Sequence, residues 1–124
     1  MIIVHCTFPL KAEYKDQALE LMRRMSDASQ AEYGCVSYQF YVGLTDPNTL
    51  LLFQEWSSVD ALQDHFQTEH MDEFMEALPQ VLDGEVLTRR YEVRSTHDLE
   101  NDDDFGEFEP EPSPTPVYRE KIVH

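Results

Sequence analysis

Cations are scarce in this 124-residue sequence, in which nine Lys and Arg stand against 25 Asp and Glu for a net charge of −16. Nucleic-acid binding depends on clustered cations, and only Arg23-Arg24 and Arg89-Arg90 bring two together. An anionic membrane surface would repel the chain for the same reason. We therefore expect neither a nucleic acid nor a membrane among its partners.

Glycine, cysteine and long apolar runs are sparse as well. The four glycines are scattered and form no nucleotide-binding or phosphate-binding fingerprint. The two cysteines, Cys6 and Cys35, form no metal-type or redox pair, and each falls in a predicted strand. No apolar stretch approaches the ~18 residues of a membrane helix, and no secretory leader is recognisable. The chain is therefore predicted to be cytoplasmic and to hold no classical nucleotide or flavin.

The hydrophobic pattern predicts a small α+β domain. Alternating apolar residues indicate four strands, at residues 1–10, 35–42, 50–56 and 85–94. Apolar residues at steps of three and four indicate two helices, from Lys11 to about Glu32 and from about Val59 towards Leu82. Pro79 is expected to bend or end the second helix.

The predicted order β-α-β-β-α-β is that of the ferredoxin-like fold. In this fold four antiparallel strands form one sheet, and both helices pack on the same face. The other face is left without helices, and several of its residues are apolar. A homodimer built sheet to sheet is therefore predicted.

Residues 95–124 differ in composition from residues 1–94, which we take as the folded domain. Acidic residues are followed by alternating prolines, and the apolar content is too low for independent folding. Two interpretations stay open. The segment is either a disordered solubilising tail, or its residues 117–123 dock as a short strand on the domain or on a partner subunit.

The candidates for chemistry lie close together, between Trp56 and His70. In one uninterrupted helix, His65 and His70 would lie about 140° apart and would not meet. His70 would then be either a core histidine or a base facing a cavity. If Thr68 instead caps a second helical segment, both imidazoles could turn towards one cavity. Trp56 is either a core residue with a bonded indole N–H or the wall of an aromatic pocket.

A metal site is not predicted from the spacing of the histidines. His65 and His70 are five residues apart, whereas ligands on one helix face are four apart, and no H-E-x-x-H motif occurs. His5 and His97 are too unconstrained to serve as a third ligand.

A series of short motifs runs along residues 1–94. They are the strand into Leu10-Lys11, Gly34-Cys35-x-x-Tyr38, Asp46-Pro47, Phe53-x-x-Trp56, Ala61, His65, Thr68-x-His70 and Phe74. In order and spacing they resemble the antibiotic biosynthesis monooxygenase family, in particular its quinol-monooxygenase-like members. The resemblance implies a dimeric ferredoxin-like α/β barrel that oxidises a small phenolic or hydroquinone substrate with O2, without a cofactor or metal.

On that resemblance, an electron-rich phenolate or carbanion reduces O2 itself. The protein then supplies a pocket, a proton acceptor and a dry environment. The resemblance implies His65 as the base, with His70 as the second candidate. The substrate would be bound by Trp56, Tyr38, Phe66 and Gln54.

Two other functions on the same fold are weighed against the monooxygenase. One is a non-catalytic dimeric ligand-binding or regulatory module, because a fold does not determine a function. The other is haem degradation, whose relatives use an Asn, a Trp and a haem-ligating His. The corresponding places here hold Cys6, His65 and Met75, which disfavours that reading.

Overall fold

The computed structural model describes residues 1–94, and the structural statements below concern this range. Its four strands are β1 (Ile2–Pro9), β2 (Cys35–Val42), β3 (Thr49–Trp56) and β4 (Leu87–Glu92). Its three α-helices are α1 (Lys15–Gln30), α2 (Val59–Phe66) and α3 (Glu69–Val81). A short 3₁₀ helix, Ala12–Tyr14, precedes α1. The predicted tail, with its docking segment 117–123, lies outside the described residues.

The strands form one antiparallel sheet in the order β2-β3-β1-β4. This is the predicted ferredoxin-like arrangement, and the fold prediction is confirmed. Side chains alternate between the two faces of a strand, so every second residue of β1 and β3 is buried beneath the helices. These residues are Ile2, Val4, Cys6 and Phe8 on β1, and Leu50, Leu52, Gln54 and Trp56 on β3.

Helix α1 packs on the sheet through one face. Its buried residues recur at helical spacing and are Ala18, Leu21, Met22, Met25 and Ser29. The helix ends at Gln30, and Glu32 therefore lies in the turn that leads to β2. The Glu32 N–H donates to the carbonyl of Ser29 at 3.0 Å, and the Cys35 N–H donates to the carbonyl of Glu32 at 3.2 Å.

The prediction of one long second helix is wrong, because the helix breaks at Gln67 and Thr68. The Thr68 hydroxyl accepts from the N–H of Met71 at 3.2 Å and caps α3. The same hydroxyl donates to the carbonyl of His65 at 2.8 Å, at the end of α2. Pro79 lies inside α3, which continues to Val81. The alternative in which Thr68 starts a second segment is therefore the correct one.

The opposite face of the sheet carries no helix within the described part of the chain. The partly or largely exposed apolar residues on this open face are Ile3 on β1, Tyr41 on β2, Leu51 and Phe53 on β3, and Leu87 and Tyr91 on β4. No helix of the described residues is long and apolar enough to cross a membrane.

Candidate active site

The break between α2 and α3 brings both imidazoles to one carboxylate, that of Glu32. One oxygen, Oε2, lies 2.7 Å from Nδ1 of His65 and 2.5 Å from Nε2 of His70. The two imidazole centroids are 6.0 Å apart. We call Glu32, His65 and His70 the Glu-His-His cluster. Three separate segments supply it, since Glu32 follows α1 and the histidines belong to α2 and α3.

His65 is enclosed among aromatic rings, and only 1% of its surface is exposed. Its ring centroid lies 4.7 Å from that of Trp56 and 5.6 Å from that of Tyr38. Both neighbours are themselves buried. The indole N–H of Trp56 donates to Oε1 of Gln54 at 2.7 Å, so its hydrogen-bonding capacity is satisfied inside the core.

His70 is the accessible imidazole of the cluster, with 27% of its side chain exposed. It lines a cavity of about 130 Å³ between α1 and α3. The apolar wall of this cavity is formed by Leu21, Met25, Phe74 and Ala77, and Arg24 and Glu73 contribute charge. We call this cavity the α1–α3 groove.

Burial sets the protonation of His65. It lowers the pKa of the imidazole because the charged form loses its hydration, and the nearby His70 acts in the same direction. The Glu32 carboxylate favours the charged form, but desolvation outweighs it. A neutral His65 must donate its Nδ1–H to Glu32, which leaves the lone pair on Nε2. Burial also raises the pKa of Tyr38, so its hydroxyl stays protonated at neutral pH.

Gly34 allows the turn that carries Glu32 to pack closely against α2. Its φ of +87° suits glycine, and a Cβ here would lie 2.5 Å from the Cβ of Ala61 on α2. The Ser57 N–H donates to the Gly34 carbonyl at 2.8 Å. The turn after α1 is therefore pressed against the start of α2, and Glu32 is held next to His65.

The structure brings all six predicted site residues into one region. His65 and His70 share Glu32, Trp56 and Tyr38 contact His65 within the core, and Gln54 accepts a hydrogen bond from Trp56. The sixth, Phe66, is 47% exposed, and its ring centroid lies 5.8 Å from that of His65.

Sequence reasoning missed Glu32. The available signal was its position just before Gly34-Cys35, because β2 pairs with β3 so that Cys35 lies opposite Trp56. A residue just upstream of Cys35 must therefore lie near the end of β3, where α2 begins.

The chain belongs to the antibiotic biosynthesis monooxygenase family, whose profile matches residues 1–77. The family inferred from the motifs is thus confirmed, and the match covers Glu32 and both histidines of the cluster.

Individual proteins resemble the chain in sequence or in fold. An uncharacterized protein of Synechocystis, sll1783, is 33% identical over 98 residues, which cover 79% of this chain and 67% of that one. A conserved protein from Methanosarcina mazei is 27% identical, with a TM-score of 0.70 over 73% of this chain and 89% of that structure. A solved antibiotic biosynthesis monooxygenase shares the fold at 23% identity, with a TM-score of 0.72 over 77% of this chain and 100% of that structure.

Proposed function

We propose that this protein is a cofactor-independent monooxygenase that oxidises a small phenolic or hydroquinone substrate with O2. The observation that carries the proposal is the Glu-His-His cluster, in which one partly buried carboxylate holds two imidazoles beside a cavity. Family membership supports the reaction class. The cluster supplies the proton acceptor that such a reaction needs.

We propose that His70, the accessible histidine, contacts the substrate. A general base must come within hydrogen-bonding distance of the proton that it removes, and His65 is sealed whereas His70 is not. His70 donates its Nε2–H to Glu32 in its neutral form, which leaves Nδ1 to accept a proton. We assign His65 as the second proton acceptor behind Glu32. This order is the reverse of the one that the family resemblance implied.

The α1–α3 groove is the proposed site for the substrate ring. Its volume of about 130 Å³ is close to that of an engineered apolar cavity of ~150 Å³ that binds benzene. Phe74 and Met25 would contact the ring, and His70 would face its acidic proton. Trp56, Tyr38 and Gln54, which the resemblance placed around the substrate, would act by holding His65 and Glu32 in position.

The proposed reaction balances without a cofactor. The imidazole takes a proton from the substrate, and the resulting carbanion transfers electrons to O2 as a C–O bond forms. The imidazolium returns its proton to give a hydroperoxide. Loss of water from a carbon bearing both the hydroperoxide and a hydrogen then leaves a carbonyl, so one oxygen atom enters the product and the other enters water. Glu32 would stabilise the imidazolium formed in the first step.

Oxygen uptake with a panel of hydroquinones and anthrone-like phenols tests the proposal. We expect turnover by the wild type and a loss of roughly 10²- to 10⁴-fold in kcat for His70→Gln. Glu69→Gln is the matched control, because Glu69 is the exposed neighbour of His70 and lies outside the cluster. Uptake equal to that of the buffer over the whole panel would favour a non-catalytic ligand-binding or regulatory module.

The groove is tested separately by filling it. Ala77→Leu adds bulk to a residue that lines the groove, and Glu76→Leu adds a leucine at the exposed neighbouring position of α3. We expect KM to rise in the first variant and to stay unchanged in the second. Equal KM values in both variants would place the substrate elsewhere.

We also propose that two copies pack through the open sheet face. Six apolar side chains lie on that face, and a contiguous exposed apolar patch is typical of a protein–protein interface. Leu51→Glu places a charge in the middle of this face, whereas Leu44→Glu does so in a loop where Leu44 is 98% exposed. Sedimentation should show a dimer for the wild type and for Leu44→Glu, and a monomer for Leu51→Glu. A dimer in all three would contradict the proposed interface.

A further inference from the structure

We propose that the Glu-His-His cluster also binds one divalent transition-metal ion, and that metal binding competes with its proposed role in proton transfer. One carboxylate oxygen and one nitrogen of each imidazole offer three ligand atoms that all lie within 4.8 Å of one another. Two imidazoles and one carboxylate are a ligand set that Zn²⁺ and Fe²⁺ bind in proteins. The cluster therefore has the right chemistry and nearly the right size.

The positions of one nitrogen from each imidazole support the proposed metal site. Nδ1 of His65 and Nε2 of His70 approach the same oxygen, at 2.7 and 2.5 Å. A bound ion needs ligand atoms that converge in this way, at about 2.0–2.1 Å from each nitrogen. The Glu32 carboxylate would have to withdraw to make room. It lies in a turn, and 13% of its side chain is exposed, so such a movement disturbs neither a strand nor a helix.

The five-residue spacing of His65 and His70 is compatible with the proposed metal site. The expectation that the two imidazoles diverge assumed one continuous helix, and the break at Thr68 removes that assumption. Each of the three ligands belongs to a different segment, and packing of the helices brings them together. His65 is already fixed by Trp56 and Tyr38, so little side-chain freedom remains to be lost on binding.

A hydrated cation can reach the cluster. His70 lines the α1–α3 groove and is partly exposed. The net charge of −16 raises the concentration of cations near the surface. Access and long-range attraction thus both favour a metal ion.

Metal binding would switch off the proposed reaction, and this consequence rests on the proposed function. An ion bound at Nε2 of His70 moves the ring proton to Nδ1, the atom that we assign to accept the substrate proton. An ion bound at Nδ1 of His65 likewise moves that proton to Nε2. Both imidazoles then lose their accepting lone pair, so the same three residues either bind metal or move protons.

The test is a calorimetric titration with Zn²⁺ at neutral pH, on the full-length chain after dialysis against a chelator. We expect one tight site per chain. Glu32→Gln and His70→Gln should each raise the Kd about 100-fold or more, since even an outer partner of a metal ligand is worth 10- to 100-fold. The control Glu69→Gln removes the same charge next to His70 and should leave the Kd unchanged. Equal Kd values in all variants, or no one-to-one binding by the wild type, would overturn the proposal.

A second measurement remains decisive if a variant fails to fold. In the wild type, Zn²⁺ should shift the ring ¹⁵N signals of His65 and His70 and leave those of His5 in place. Unmoved signals for the first two would overturn the site. If the protein turns over a substrate, Zn²⁺ should abolish oxygen uptake and a chelator should restore it. If no substrate is oxidised, the proposed function fails, and the binding data still decide the metal site.

Discussion

The imidazole of His65 lies against the indole of Trp56, with ring centroids 4.7 Å apart and planes inclined by 35°. Trp56 has one hydrogen-bond donor, and Gln54 accepts it. The indole therefore contributes burial to His65 rather than a hydrogen bond. That burial lowers the pKa of the imidazole and keeps it neutral next to a carboxylate.

Gln54→Leu should destabilise the protein by about 1–3 kcal/mol, because it leaves the buried indole N–H of Trp56 without an acceptor. Urea denaturation measures the loss. Gln63→Leu is the matched control, since Gln63 is exposed on α2, and it should change the free energy of unfolding by less than about 0.5 kcal/mol. Equal effects of the two substitutions would show that the indole bond adds no stability.

The stability provided by a neutral His65 should depend on pH. Because burial depresses the folded-state pKa, the unfolded chain takes up a proton first as the pH falls. The contribution is complete above the unfolded pKa of about 6.5 and is lost as the pH falls towards the folded value, by up to about 1.4 kcal/mol per pH unit.

The difference in unfolding free energy between the wild type and His65→Gln isolates this effect. We expect the advantage of the wild type to be largest above neutral pH and to shrink on acidification. An advantage that grows at acid pH would mean that the folded protein holds His65 as a cation.

Gly34→Ala should cost more than about 1 kcal/mol, since the residue has a positive φ and the new methyl group would collide with Ala61. A double-mutant cycle with Ala61→Gly separates the two causes. We expect the pair to show a coupling energy of about 0.5–3 kcal/mol, because removing the Ala61 methyl relieves the collision. Strict additivity would contradict close packing of the turn on α2.

Thr68→Ala should remove the cap of α3 at a cost of about 1 kcal/mol. Ser58→Ala removes the cap of α2 and should cost a similar amount. The two variants differ in their effect on the Glu-His-His cluster, since Thr68 lies between its histidines and also bonds the carbonyl of His65. The ring ¹⁵N signals of His70 should shift in the first variant and stay in place in the second.

Much of the fold could be predicted because it depends on local periodicity. The alternation of β1 and β3 and the apolar stripe of α1 are properties of neighbouring residues. The break before α3 was harder to predict from the sequence, because the apolar spacing from Leu62 to Phe74 continues through it. A cap at Thr68 was one of two interpretations that the sequence left open, and the hydrogen bond from the Thr68 hydroxyl to the His65 carbonyl supports the break.

The candidate site could be predicted only in part, because its residues come together through contacts between distant parts of the sequence. Both histidines and Trp56 stand out as residue types within one short stretch. Glu32 lies 33 residues before His65, and the pairing of β2 with β3 and the packing of Gly34 on α2 bring it there. Which imidazole is accessible also depends on packing, and the structure seals His65 rather than His70.

The most direct test of the Glu-His-His cluster is the protonation of its two rings, measured by long-range ¹H–¹⁵N NMR at neutral pH. We predict His65 protonated on Nδ1 and bare on Nε2, and His70 protonated on Nε2, with both patterns altered in Glu32→Gln. A His65 ring that carries its proton on Nε2, or rings that do not respond to the loss of Glu32, would contradict the account.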